Sequence, residues 1–506
     1  MTTKLSCTVH ILMLLRLLLS LLLLGCVHGF VTRFTQAPQL LIRQGYARQS
    51  AAAPFLEAKT TKTQQEELLL PAEVALWKRD ERPITTLTWF RGEGNAAASI
   101  LQARLIQILQ CNPWLMGRVV PRNNKLYLTF TETDHGTSEY DDSWDKNTVS
   151  NYFCQFTPHQ SRIHRRTRLN QLALECPEDA ILKNGPQEPL FRVSVIPCRI
   201  NPAKHFALVV SLSHVVADGH TYYKLLEMLC SNDDTNKIAP LIYQRISTSP
   251  NQQAQAMGQD NYDYVAKPGL AAFANLFTGL VQTRTIGPVP QAAFALVNDK
   301  RMAEGKQQAA EAFDKSISAA PAVPFLSTND VLSSWFLHRS GATISVMAIN
   351  FRDRLDGHTT NHAGNYENVI PYRQADVAHP AWIRQSIKLS DGQYRRAVTT
   401  HEPLPAFWEA LGTTTAVVTN WATLTDAPFV IPNCQEELHL PLYDFRRTLP
   451  TGAAVMIIFR AGPGRTGIFV AAAPDVMTKL GLGNASRRFG SSSSGRPSFL
   501  ETRSLL

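Results

Sequence analysis

The sequence predicts a fold of mixed helices and strands distributed over two or three domains, and three observations carry that prediction. Helix-period and strand-period segments alternate along the first half. A nearly continuous apolar run, Phe206–Leu212, leads straight into a helical pattern. The chain's 506 residues, 44% hydrophobic and 18% charged, supply a large core. That balance excludes wholesale disorder, which needs low hydrophobicity and high charge.

Ala96–Gln110 reads as a helix because Leu101, Leu105 and Ile108 recur at i, i+4 and i+7, and it stops at Asn112-Pro113, where proline disfavours continuation. Lys125–Phe130 and Phe191–Ile196 read as strands. Phe206–Leu212 is apolar at almost every position, as expected of a strand covered on both faces. Thr221–Cys230 continues as a helix. From Ser231 to about Ala322, Asn, Gln, Pro and Ala are enriched, which suggests a long crossover between two halves. Within it, Gly269–Val281 is a helix candidate carrying Phe273, Leu276, Phe277 and Leu280. Such a helix is usually covered by core; contact with a membrane surface or guidance of substrate is the alternative. No internal repeat is evident.

The basic balance, 50 Lys+Arg against 41 Asp+Glu, sits at the ends. Residues 1–56 hold Lys4, Arg16, Arg33, Arg43 and Arg48 and no acid, while 484–506 hold Arg487, Arg488, Arg496 and Arg503 against Glu501. The intervening chain is nearly neutral, so a surface that tracks nucleic-acid phosphates is not expected. Residues 1–29 read as a secretory signal, since the apolar stretch Leu17–Leu24 is too short to span a bilayer, with an uncleaved membrane anchor as the alternative. Residues 30–56 have the acid-poor, Arg- and Ser-containing balance of a transit peptide or of a disordered linker. A signal followed by Phe30 and such a stretch resembles bipartite plastid presequences, so a plastid is the expected address, with the secretory route as the alternative.

The six cysteines outside the signal, Cys111, Cys154, Cys176, Cys198, Cys230 and Cys434, form no C-x-x-C pair. They predict free thiols and no metal site. The sequon at Asn484 falls in a Ser/Gly-rich tail and is weak support for glycosylation.

The chemistry concentrates where the apolar strand ends: Ser213-His214-Val215-Val216-Ala217-Asp218-Gly219, an H-x-x-x-D-G pattern. The strand delivers His214 from the core, and Gly219 suggests a backbone turn that a Cβ would resist. Asp218 is close enough to fix the turn or the ring. A neutral imidazole there can act as a general base at neutral pH.

The flanking segments resemble, in order, those of the acyltransferase superfamily that includes BAHD enzymes, chloramphenicol acetyltransferase and peptide-synthetase condensation domains. Asn112–Arg118 is similar to the early helix-to-strand segment, His214–Gly219 to the hallmark, and Thr328–Trp335 to the helix opening the second half. Asn350–Leu355 followed by Gly364-Asn365, and the strand Val418–Trp421, complete the match over about residues 71–480. Where BAHD enzymes carry D-F-G-W-G, this chain reads Asp444-Phe445-Arg446-Arg447-Thr448, the mark of a divergent branch.

The resemblance implies two similar-sized α/β domains with mixed sheets, over 71–240 and 323–482, joined by 241–322, with a tunnel between them and a loose tail at 484–506. It implies acyl transfer from a coenzyme A thioester to a hydroxyl or amine of a fairly hydrophobic acceptor, such as a carotenoid or other isoprenoid alcohol, by a monomer without a bound cofactor. His214 is then the base, with Asp218 and Gly219 completing its motif. Asp218 is expected to be scaffold paired with Arg352 or Arg354, Asp444 to be structural, and Thr419, Asn420 or Trp421 to supply the oxyanion donor. A condensation-type catalyst using a carrier-protein thioester and a non-catalytic binding protein are the alternatives. The basic run Arg162, His164, Arg165, Arg166, Arg168 is usually a solvated loop, with coenzyme A phosphate binding as the sharper alternative.

Overall fold

The computed structural model describes residues 62–133, 149–231, 238–266, 287–316, 325–387, 392–425, 427–445, 449–483 and 497–501, apart from isolated positions within these ranges. The signal and transit segments, and the Gly269–Val281 helix apart from Gly279, lie outside the described residues.

In chain order the first half contributes β1 (Lys62–Leu68), α1 (Pro71–Lys78), β2 (Ile84–Arg91), α2 (Gly94–Cys111), β3 (Arg118–Arg122) and β4 (Lys125–Thr133). It continues with β5 (Phe153–Gln155), β6 (Phe191–Pro197), β7 (His205–Leu212) and α3 (Gly219–Leu229). The connecting region holds α4 (Ser249–Met257), α5 (Gln259–Ala266), β8 (Gln291–Val297) and α6 (Asp299–Ser316). The second half follows with α7 (Thr328–Arg339), β9 (Ile344–Asn350), β10 (Glu367–Tyr372), α8 (Pro380–Ser386) and β11 (Thr415–Asn420). It ends with β12 (Gln435–Pro441), β13 (Ala453–Gly462), β14 (Arg465–Ala472), α9 (Pro474–Lys479) and β15 (Leu500–Glu501).

These strands form two large mixed sheets, ordered β12-β2-β7-β6-β5 and β10-β9-β11-β13-β14-β8-β15, and a small sheet β1-β4-β3. The expected α/β class with two lobes of mixed sheet is the one observed. β7 is central and pairs antiparallel with β2 and β6, and seven of its eight residues are buried, which explains its unbroken apolar run. Leu101, Leu105 and Ile108 of α2 and Leu225, Leu226 and Leu229 of α3 share its apolar cluster. Each such buried leucine contributes roughly 1.5–3 kcal/mol relative to exposure.

The second sheet has a core on each face. Along β13 and β14, Met456, Ile458, Ile468 and Val470 enter one cluster with Leu332 and Phe336 of α7. Their alternate neighbours Ile457, Phe459, Phe469 and Ala471 enter the cluster of the first sheet, because successive strand side chains point to opposite faces. Helix α7 starts in a capping box in which the Ser327 hydroxyl accepts the Asp330 N–H at 3.2 Å and the Asp330 carboxylate accepts the Ser327 N–H at 2.7 Å.

Three features depart from the expected outline. The segment 241–322 is more than a connection, since β8 pairs with β14 and β15 inside the second sheet. β12, far along the chain, pairs with β2 at the edge of the first sheet, so the second half lends a strand to the first lobe. Of the tail expected to be loose, the described residues 497–501 are placed: Leu500 is buried against the second core while β15 pairs with β8.

Candidate active site

The turn carrying His214 is fixed from several directions. At its end Asp218 caps α3, its Oδ1 accepting the Thr221 N–H at 3.1 Å. Asp218 Oδ2 accepts from Arg352 Nη1 at 2.6 Å and from the Tyr366 N–H at 3.0 Å. Arg352 spends its remaining donors on the carbonyls of His362 and Gly364 and lies over the Tyr366 ring, 5.1 Å from its centroid. Burial pushes the Asp218 carboxyl up, but the charge and hydrogen bond of Arg352 and the Thr221 N–H outweigh it and hold it below its ordinary value. Asp218 thus has its acceptors committed to scaffold, and Arg352 is its partner. Arg354 instead lies over the Tyr394 ring at 5.4 Å.

The carbonyls of the turn are held as well. Asn365 Nδ2 donates to the His214 carbonyl at 2.9 Å, and Arg245 Nη2 donates to the Val216 carbonyl at 2.7 Å. Arg245 is itself buried against Glu73 of α1, with Nε 3.1 Å from each carboxylate oxygen. Gly364 closes the assembly by accepting the Asp218 N–H at 3.2 Å. Its φ of +137° is reserved for glycine, and a Cβ there would come within 3.1 Å of the Tyr366 ring.

Gly219 is required for a different reason from the one expected. It is the first residue of α3 and is not among the glycines of positive φ, so no unusual turn is made there. A Cβ would stand 3.1 Å from Leu424 Cδ1 and 3.8 Å from Trp421 Cδ1. Space, not backbone freedom, is what a larger residue would contest, since Leu424 would have to give by a few tenths of an ångström.

These residues border a small, open cleft where a tunnel is expected, lined by Asp218, Gly219, His220, Asn350, Glu367 and the β11 end Thr419–Trp421, with Ala348, Ile349 and Leu424. His214 stands beside it: its side chain is 21% exposed, and its Nε2 lies 3.6 Å from Oε1 of Glu367. Its Nδ1 is buried without a hydrogen-bond partner among the described residues. Trp421 commits its backbone N–H to Ile458 and packs its ring against Tyr223 and Tyr443. Asn420 Oδ1 accepts the Ala422 N–H at 2.9 Å, which leaves the amide nitrogen as its donor. Asp444 is half-buried outside this lining, beside Phe445, which stacks on Tyr443 and Phe469.

The basic run does not join the cleft. Arg162, Arg166 and Arg168 are exposed, and Arg165 pairs with Glu437 at 3.0 Å, as does Arg91 at 2.9 Å. Glu437 also approaches His205, the first residue of β7, whereas His214 follows the last. At about 3.4 Å per residue, the two ends of this strand are about 24 Å apart. The cysteines are free, and burial pushes the Cys176 thiol up to about 12, out of the reactive range. Among the described residues no group of His, Cys, Asp and Glu has the arrangement of a metal site, and no helix is long and apolar enough to cross a membrane.

Sequence reasoning passed over Glu73, Arg245 and Glu367. Glu367 lies two residues beyond Asn365, within reach of the segment already singled out. Arg245 and Glu73 are 172 positions apart and carry no local signal.

No protein-family model and no curated protein matches the chain. Among solved structures, F. graminearum TRI101 complexed with coenzyme A and deoxynivalenol is similar at 14% identity and a TM-score of 0.52, covering 84% of this chain and 98% of that one. F. sporotrichioides TRI101 complexed with coenzyme A and T-2 gives 13% identity, a TM-score of 0.50 and coverage of 83% and 98%. The first condensation domain of the calcium-dependent antibiotic synthetase, in complex with a substrate analogue, gives 14%, 0.50, and coverage of 81% and 92%. At such identities the likeness is one of fold: the chain has the two-lobed α/β architecture shared by these proteins.

Proposed function

We propose that this protein is an acyltransferase that moves an acyl group from a coenzyme A thioester to a hydroxyl or amine of a fairly hydrophobic acceptor, with His214 as general base. The observation that carries the reading is His214 itself: a partly exposed imidazole on a turn immobilised by buried hydrogen bonds, in contact with Glu367 of a cleft that the end of β11 also lines. The neighbours complexed with coenzyme A share the fold and add support.

In this mechanism His214 Nε2 takes the acceptor proton as the acceptor oxygen or nitrogen bonds to the thioester carbonyl carbon. The carbonyl electron pair moves onto oxygen, where a donor from Thr419, Asn420 or Trp421 meets it. The carbon–sulfur bond then breaks, and His214 returns the proton to the departing thiolate. A base of this kind is worth about 10²–10⁴ in rate and one oxyanion donor about 10²–10³. No acyl-enzyme is required. Asp218, buried and paired, orients the turn without relaying protons.

The test is to incubate residues 57–506 with acetyl-CoA and fractionated pigment or lipid alcohols, following free thiol and new esters. Thiol release that depends on acceptor and on His214 supports the reading. Turnover with carrier-protein thioesters alone would assign a condensation-type donor, and ligand binding without turnover would make the protein a binding module. We also propose that residues 1–56 direct the chain to a plastid; export of a fluorescent fusion of that segment would contradict this, and plastid import would support it. A plastid address would put isoprenoid alcohols such as carotenoids within reach as acceptors.

A further inference from the structure

Glu367 is the one carboxylate of the cleft that no arginine or lysine pairs with among the described residues. It opens β10 in register with Asn350, the last residue of β9. The three residues before it, Gly364, Asn365 and Tyr366, are each hydrogen-bonded to the His214–Asp218 turn. The scaffold that fixes His214 therefore also delivers the Glu367 carboxylate, 3.6 Å from Nε2. That separation is too long for a good hydrogen bond and short enough for strong charge interaction. Both side chains are partly exposed, at 21% and 34%, and Glu367 lines the cleft.

We propose that Glu367 is a positioning residue for His214: its charge holds the imidazole toward the acceptor and stabilises the imidazolium formed when the acceptor gives up its proton. For its catalytic consequence the inference rests on the acyltransferase reading; for its titration it does not. Glu367 neither gains nor loses a proton in the step. The acceptor O–H or N–H breaks, the proton goes to Nε2, and the negative carboxylate faces the new positive charge.

The surroundings set the pH response. Burial raises the Glu367 carboxyl, His214 and Arg352 draw it back down, and Asp218 and Glu81 push it up. Two groups this close titrate as a pair. As pH falls, the pair takes up one proton, and either location stops the base: an imidazolium cannot accept, and a protonated Glu367 can occupy Nε2. Removing the charge 3.6 Å from Nε2 should move the acid limb to lower pH while the plateau rate falls.

The experiment is the pH dependence of kcat and kcat/KM for the wild type, Glu367→Gln and Glu367→Asp in the full chain. Beside it runs an NMR titration of the His214 imidazole, identified by its loss in His214→Ala. We expect Glu367→Gln to move the acid limb of the rate profile to lower pH and to lower kcat by about tenfold, with the donor KM little changed. Glu367→Asp, which keeps the charge, should recover part of both effects, and it carries the test if the Gln protein does not fold. A folded Glu367→Gln protein with an unmoved His214 midpoint overturns the inference, as does a Glu367→Asp midpoint displaced as far as a neutral residue would displace it. The absence of turnover with any donor would instead count against the acyltransferase reading and leave the titration to decide this one.

Discussion

Two acid–base pairs leave the same short motif and differ in every physical respect. Asp218 and Arg352 meet at 2.6 Å with both side chains 1% exposed, and their remaining donors and acceptors are taken by Thr221, Tyr366, His362 and Gly364. His214 and Glu367 stand 3.6 Å apart, both partly exposed, and His214 Nδ1 has no partner among the described residues. A saturated buried pair has nothing left to offer a substrate, and breaking it leaves an uncompensated charge in the core. An open, unsaturated pair costs the fold little to disturb and can exchange protons. The first pair is scaffold and the second is where chemistry is available, although residue type alone does not distinguish them.

The comparison is broken most severely at the saturated pair. Arg352→Met leaves Asp218 buried and unpaired, and the expected loss is about 3–5 kcal/mol of stability, read by chemical denaturation. A variant that kept near wild-type stability would show that Asp218 is not held by charge. The open side is probed next at the far wall of the cleft. Thr419→Val should leave the melting temperature within a few degrees and lower kcat by about 10²-fold if the Thr419 hydroxyl is the oxyanion donor. An unchanged kcat would move that role to Asn420 or Trp421.

A third probe uses pH. His439 is fully buried between Thr88 and Tyr223, and burial first, then Arg460, holds its pKa well below the ordinary value. Folded His439 therefore stays neutral while the unfolded chain takes up a proton below about pH 6.5. Its contribution is complete above that pH and is lost as pH falls toward the folded value. Asp218, also lowered, adds the same sign of dependence only below about pH 4, near the ordinary carboxylate range. Melting temperature should thus fall between pH 7 and pH 5, and His439→Gln should flatten that slope; equal slopes would remove His439 as the cause. The smallest effect belongs to the basic loop. Arg165→Ala should change stability by less than about 0.5 kcal/mol and leave the donor KM unaltered. A raised KM would bring residues 162–168 into donor binding.

Local features were legible in the sequence and long-range ones were not. The α2 periodicity, the buried strand β7 and its passage into α3 follow from neighbouring residues, and the His214–Gly219 motif sits on that junction. The hairpin of β13 and β14 was legible too, through Gly462-Pro463-Gly464 between two apolar runs, but was passed over. Strand β12 could not be placed from sequence, because its partner β2 lies some 350 positions earlier and its Glu436, Leu438, Leu440 alternation suits either sheet. The Glu73–Arg245 pair was hidden for the same reason, while Gly219 was read as a turn when its burden is steric.

The most direct test sets the two pairs side by side by measuring acceptor-dependent thiol release from acyl-CoA, per folded molecule, for His214→Ala and Asp218→Asn. The account predicts that His214→Ala melts like the wild type and loses about 10²–10⁴ of its rate, while Asp218→Asn melts at lower temperature and keeps most of its rate where it remains folded. A His214→Ala protein that turns over at the wild-type rate would contradict it.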